Sequence, residues 1–275
     1  AKKLIREAAL CGADCVKFQT FKADRVVTSE APKAKYQLKT TPKLESQRDM
    51  LEKLEMDMES YREIVDCCED NNVLFISTPY NTEDVDFLEK LGVSAYKLAS
   101  IHAVEPWFAS YVAKTGKPVI LSTGMATLDE IEETLNAMFS TGNKQIILLQ
   151  CTTNYPSLLK DTNLLAMQTM ADKFSLIVGY SDHTDNDIAC IVSIGLGAKV
   201  IEKHFTLDKT MEGPDQSTSA TPDEFSKLVT AIRSSEMVLG SPVKRPCPAE
   251  LENMLGMRRS IVAKCNIKKG SVINE

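Results

Sequence analysis

The sequence predicts an α/β protein: a (β/α)8 TIM barrel lacking its first strand, followed by the beginning of a truncated second domain. Three observations carry this expectation. Short apolar segments without polar alternation recur along the chain, as expected of strands covered on both faces in a parallel sheet. Amphipathic helical patterns fall between them, so strand and helix alternate as in βαβ units with right-handed crossovers. Seven such strands follow a chain that opens inside a helical pattern, so a barrel of eight places its first strand upstream of residue 1. An open doubly wound sheet is the alternative, but no Gly-rich phosphate turn follows any strand.

Taken in order, AKKLIREAALCGAD reads as the opening helix, and a first residue of Ala rather than Met fits a fragment. The strands are DCVKFQT (14–20), VLFISTPY (73–80), SAYKLAS (94–100), PVILSTG (118–124), QIILLQCT (145–152), SLIVGYSDH (175–183) and AKVIEKHFT (198–206). Helical patterns between them include MESYREIVDCCEDNN and LDEIEETLNAMFSTG, the latter opening behind an N-cap at Thr127 and closing near a glycine. Residues 20–56 are too long and polar for a simple connection and read as a lid or binding loop. The barrel is expected over 1–240, a linker over 241–257, and the start of the second domain, as strand and turn, over 258–275. Lacking one stave, the barrel is expected to be unstable alone.

At 275 residues and 43% hydrophobic, the chain can bury one large core. Its net charge of −6 argues against bulk binding to nucleic acid or anionic membrane. No apolar stretch approaches the roughly 20 residues of a membrane span, and none has signal-peptide shape, so a cytoplasmic location is expected. The eight cysteines include no C-x-x-C pair. Several sit in apolar runs, as reduced core cysteines do, and no zinc–cysteine site is expected.

Catalysis on such barrels sits at the C-terminal strand ends. Those ends carry Lys17 and Gln19; Ser77 and Thr78; Lys97 and Ser100, with His102 just beyond; Ser122 and Thr123; Thr152, Thr153 and Asn154; Ser181 and His183; and Glu202 and His204. The chain has three histidines, and two of them, His183 and His204, end consecutive strands. Neighbouring strands lie about 4.8 Å apart, so both imidazoles could reach one divalent ion, with open positions for water and substrate. Two separate histidines bonding to nearby loops is the plainer alternative. Lys17 and Lys97 stand inside otherwise buried strands, ringed by hydroxyls, which reads first as a socket for a small dianion such as a phosphate carrying a carboxylate. A Schiff-base lysine is the second reading, and pairing with an internal carboxylate such as Glu202 the third. Asp215, in the loop EGPDQSTSATPDEF, reads either as a turn or capping residue or as a partner for sugar hydroxyls.

The segments VKFQT, FISTPY, YKLAS, GKPVILSTGM, QCTTNYP, GYSDHT, GAKVIEKHFTLDK and GPDQ closely resemble the sialic acid synthase family, in order and from residue 1 to 275. Its bacterial members make N-acetylneuraminate or the related legionaminate from phosphoenolpyruvate and an N-acetylated mannose-type sugar. The resemblance implies a metal on His183 and His204, most often Mn2+ with Mg2+ or Co2+ as alternatives. It implies that Lys17, Thr78, Lys97, Ser100, Ser122 and Ser181 grip phosphoenolpyruvate. Gln19, Tyr155 and Asp215 would lie near the acceptor sugar, and where some members have Asn in the QCTTNYP motif, Thr153 or Asn154 could serve in binding substrate. RRSIVAKCNIKKGSVINE resembles the start of the family's antifreeze-like (SAF) domain, which implies a homodimer with that domain swapped in the longer protein. One departure stands out: Ser100 is followed by Ile101 and His102, where the family often has glycine and an acidic residue. Another phosphoenolpyruvate-condensing barrel, acting on a phosphorylated sugar, would call for a second basic cluster in the loops, and none is evident. A non-catalytic sugar-binding barrel has no need of the histidine pair and both strand lysines.

Overall fold

Seven strands form one parallel sheet in chain order: β1 (Cys15–Thr20), β2 (Leu74–Pro79), β3 (Tyr96–Leu98), β4 (Val119–Ser122), β5 (Ile146–Cys151), β6 (Ile177–Asp182) and β7 (Ile201–Lys203). Each lies inside a segment expected to be a strand. The computed structural model describes residues 1–34, 37–42 and 44–274. It divides into two units, Ala1–Val238 and Leu239–Glu275.

The sheet curls on itself. Laid flat, its first and last strands would stand roughly 29 Å apart at ordinary strand spacing. Instead Lys17 on β1 makes an ion pair of 2.9 Å with Glu202 on β7. This is the TIM-barrel curvature with seven staves rather than eight. Between β1 and β7 lies a cavity of about 630 Å³, walled by Ile5 and Ala8 of the helix Lys2–Leu10 and by Phe225, Leu228 and Ile232 of the helix Pro222–Leu239.

Alternation along the strands separates two populations of side chains. Phe75, Tyr96, Leu98, Leu121, Leu148 and Val178 pack outward against Ile64, Leu88, Val112, Leu135 and Met167 of the surrounding helices, all in one core cluster. The intervening residues, Lys17, Ile76, Lys97, Ile120 and Glu202, line the inner cavity. The helices begin where local chemistry satisfies their free N–H groups. Thr127 accepts from Glu130 N and Glu130 returns the bond to the Thr127 backbone, a capping box that opens the helix Leu128–Phe139. Asp57 caps Met58–Asp70 in the simpler way.

Residues 20–56 carry three short helices, Ala23–Val26, Gln37–Thr40 and Gln47–Glu52. The loop also holds a buried ion pair of 2.8 Å between Lys33 and Glu45. In the second unit two expectations need correction. The stretch expected as linker contains a helix, Pro248–Met257, because Pro248 stands at its first turn and Cys247 and Glu250 form a capping box. No strand forms over 258–274, since a strand holds its shape only with a partner to complete its ladder.

Gly179 on β6 shows how tightly the staves approach. A Cβ there would press into the Val200 carbonyl and stand 2.7 Å from Leu149 Cδ2. Gly179→Ala is therefore expected to cost about 1–3 kcal/mol, read as a lowered urea midpoint at unchanged slope. An unchanged midpoint would show that β6 and β7 are less closely apposed.

Candidate active site at the C-terminal strand ends

The inner face of the barrel mouth gathers two charged groups of residues. In the first, Glu202 reaches both lysines: Oε1 lies 2.9 Å from Lys17 Nζ and Oε2 lies 3.4 Å from Lys97 Nζ. Lys97, 3% exposed, also donates to Ser122 Oγ at 2.7 Å and to the Leu98 carbonyl at 2.7 Å. The internal carboxylate ranked third in the sequence is thus present in the protein. Burial alone would push Glu202 up, but the charges of Lys17 and Lys97 outweigh it and hold the carboxyl well below its usual range. Burial likewise pulls Lys17 down, and Glu202, by charge and hydrogen bond, more than restores it. Lys97 ends below its ordinary value because burial dominates, with the neighbouring Lys17 charge adding to it.

Around the lysines stand hydroxyls that need a ligand or water to complete them. Thr78 Oγ1 and Thr153 Oγ1 are buried with no hydrogen-bond partner among the described residues. Ser100 Oγ accepts from Gly124 N at 3.0 Å. A Cβ at Gly124 would collide with Thr153 Oγ1 and stand 2.8 Å from Ser100 Oγ, so glycine keeps this corner open. Ser181 is buried nearby on β6. Other strand-end polar groups are engaged in holding the fold. Ser77 bonds Thr20, Thr123 bonds the Leu149 carbonyl, Thr152 bonds the Asp161 carbonyl, and the exposed Asn154 donates to the Pro156 carbonyl. Of the two strand 145–152 candidates for binding substrate, Thr153 is the one facing the cradle.

The second group is aromatic and metal-competent. The rings of His183 and His204 lie 5.2 Å apart at 72°, with Tyr155 4.2 Å from the first and 5.7 Å from the second. His183 Nδ1–H donates to the Thr152 carbonyl at 2.8 Å, which fixes the tautomer and leaves the Nε2 lone pair. Burial, then the positive charges of Lys17 and His183, pushes His204 down to about 3, so its imidazole is neutral at physiological pH. Asp215 Oδ2 lies 3.7 Å from His204 Nδ1. No group of three or more His, Cys, Asp and Glu side chains suited to a metal occurs among the described residues. His183, whose Nδ1–H is held by the Thr152 carbonyl, and the neutral His204 beside it, with other positions left to water and substrate, fit a catalytic divalent ion rather than a structural one.

Gln19 lines the same cavity as Lys17. His102 does not join either group: it is 1% exposed, donates from Nδ1 to Glu105 at 2.7 Å, and packs 5.6 Å from the Tyr80 ring and 4.7 Å from Phe108. Tyr80 was not singled out in the sequence. Burial raises its phenol, which lies within electrostatic reach of Lys17 and Asp215. Its place directly after β2 was the available signal.

A model described as the NeuB family matches residues 4–244. The chain belongs to the NeuB family. It is 46% identical to the N,N'-diacetyllegionaminic acid synthase of Campylobacter jejuni, across 100% of this chain and 83% of that protein. It is 33% identical to the N-acetylneuraminate-9-phosphate synthase of Homo sapiens, across 99% of this chain and 76% of that one. Among solved structures, the N-acetylneuraminic acid synthetase of Leptospira borgpetersenii, in complex with citrate, superposes with a TM-score of 0.80 at 28% identity over 94% of this chain and 87% of its own. These NeuB-family likenesses agree with the family resemblance carried by the strand-end motifs. No helix among the described residues is long and apolar enough to cross a membrane.

The lowered Glu202 pKa has a pH signature. Its contribution to stability is fully present above the ordinary carboxyl value of 4.5 and is lost as pH falls toward the folded value. Glu202→Gln leaves two buried ammonium groups without their shared anion, and is expected to cost about 3–5 kcal/mol at neutral pH. Urea unfolding in steps of falling pH should show that gap narrowing only below about 4.5. A gap constant down to acid pH would mean that Glu202 is not the anion the lysines require.

Proposed function

We propose that the protein condenses phosphoenolpyruvate with an N-acetylated mannose-type amino sugar to give a nine-carbon nonulosonic acid and inorganic phosphate. The observation that carries the reading is the juxtaposition, at one barrel mouth, of the Lys17–Glu202–Lys97 cluster with the His183–His204 pair. The NeuB-family relatives, named as nonulosonic acid synthases, support it.

Lys17 and Lys97 neutralise the phosphate and carboxylate of phosphoenolpyruvate, while Ser122 orients the Lys97 ammonium. Thr78, Thr153, Ser100 and Ser181 supply the hydroxyl contacts. Glu202 keeps Lys17 charged before the substrate arrives, so no proton has to be gathered on binding. Held in this way, the enol carbon C3 faces the aldehyde of the open-chain sugar, an orientation effect. When bound by His183 and His204, a divalent ion, most often Mn2+ in such enzymes, supplies Lewis-acid polarisation of the aldehyde oxygen. Gln19, Tyr155 and Asp215 face the acceptor. The C3 electron pair forms the new bond to the aldehyde carbon, whose oxygen takes up a proton. Water adds at C2 and loses a proton. The bond from C2 to the phosphate oxygen then breaks, phosphate leaves with its electron pair, and the C2 hydroxyl gives up its proton to become the 2-keto group.

The acceptor is proposed to be unphosphorylated, as a diacetamido-trideoxymannose or N-acetylmannosamine, because the legionaminic acid synthase is more similar than the 9-phosphate synthase. The test is product mass and phosphate release with Mn2+, phosphoenolpyruvate and each sugar, with N-acetylmannosamine 6-phosphate as the contrasting acceptor. Lys97→Met is expected to lower kcat/KM for phosphoenolpyruvate by about 10–100-fold through loss of a charged hydrogen bond. Phosphate release from none of the sugars would remove the assignment.

A further inference from the structure

Behind the two imidazoles, on the opposite face of the same strands, lies a second ion pair that the proposed chemistry does not touch. Lys203 Nζ lies 2.6 Å from Asp182 Oδ2, with side chains 5% and 0% exposed. The Asp182 carboxylate also accepts from Tyr180 OH at 3.0 Å, from Thr184 N at 2.9 Å and from Cys190 Sγ at 3.2 Å. Lys203 donates further to the Thr184 carbonyl at 2.5 Å. Every polar atom of the pair is therefore committed, and a fully satisfied buried network is rigid.

Its register is what gives it a consequence. Asp182 and Lys203 are direct partners in the β6–β7 ladder. His183 and His204 follow them by one residue on each strand, and alternation turns those two side chains to the inner face. The ion pair thus locks the rung immediately before the one that carries the imidazoles. Beyond that rung the β6–β7 ladder ends, and the His183 and His204 carbonyls bond instead to Ser157 N and Ala220 N, both at 2.8 Å. With the strands released there, the outer pair is the nearest side-chain link between them.

The geometry points to Asp182 and Lys203 as positioning residues that set the separation of the two imidazoles and so the affinity of the site for a divalent cation. This rests on the metal reading above. The pair never meets substrate; it acts through the strand ends that it holds together.

The test replaces the pair as a unit, because removing one partner leaves a buried charge. Asp182→Asn/Lys203→Met keeps the volume and drops both charges, a change that buried pairs commonly tolerate. Mn2+ affinity is measured by titration calorimetry on the metal-free protein, with Tm alongside. The double variant is expected to bind Mn2+ about 10–100-fold more weakly, the usual effect of disturbing groups behind a ligand, with Tm close to the parent's. Asp182→Glu, which keeps both charges but moves the carboxylate by one methylene, is expected to fall between the two. It carries the same comparison if the double variant does not fold. Equal Mn2+ affinity in a folded variant and the parent overturns this inference alone. No Mn2+ binding by the parent overturns the metal reading and this inference with it.

Discussion

One carboxylate organises the barrel mouth. Glu202 stands on the last strand and reaches lysines on the first and third, so a single side chain ties together staves that are far apart in the sheet order. Two ammonium groups in an inner cavity would repel each other and lose their hydration. One of them would shed its proton before the fold accepted both. With Glu202 between them the two lysines share one anion, and Lys17 stays protonated. The flanking Thr78 and Thr153 hydroxyls are buried with no hydrogen-bond partner among the described residues. The same contact that ties the barrel together therefore sets the charge at its mouth.

The strand alternation that sorts apolar residues outward also lets β6 and β7 carry two polar networks back to back. By strand alternation Ser181, His183, Glu202 and His204 fall on one face, while Tyr180, Asp182 and Lys203 fall on the other and share one network. Backbone separates them, so the outer pair can be fully hydrogen-bonded and closed while the inner imidazoles keep a lone pair for a ligand. A network on one face could not do both, since each donor that closes it would consume a site the chemistry needs.

The strands were legible in the sequence because burial on both faces writes continuous apolar runs, and the histidine pair was legible because adjacent strand ends must be neighbours. What the sequence carried less clearly was contact across the barrel. Glu202 is 185 positions from Lys17 in the chain, and nothing local to either residue announces that they meet. The sequence could rank a carboxylate partner only behind a bound anion, although the structure makes the two compatible. Thr153 and Asn154 looked equivalent for a similar reason. Only the turn that gives the Asn154 amide to Pro156, and the missing Cβ of Gly124 opposite Thr153, tells them apart. The helix Pro248–Met257 was misread because its proline and polar residues, taken as linker composition, serve as its first turn and cap.

His102 marks where the chain departs from the acidic pattern its motifs otherwise resemble, and the structure gives that departure a physical meaning. Burial, the largest influence, lowers the His102 pKa, so the ring is neutral at physiological pH, and its Nδ1–H is directed to the Glu105 carboxylate. The carboxylate that a single acidic side chain would place at position 102 belongs here to Glu105. The charge is displaced outward to a half-exposed carboxylate, while the imidazole occupies the buried volume between Tyr80 and Phe108. What changes is the shape of the wall behind Tyr80, whose phenol lies within electrostatic reach of both Lys17 and Asp215.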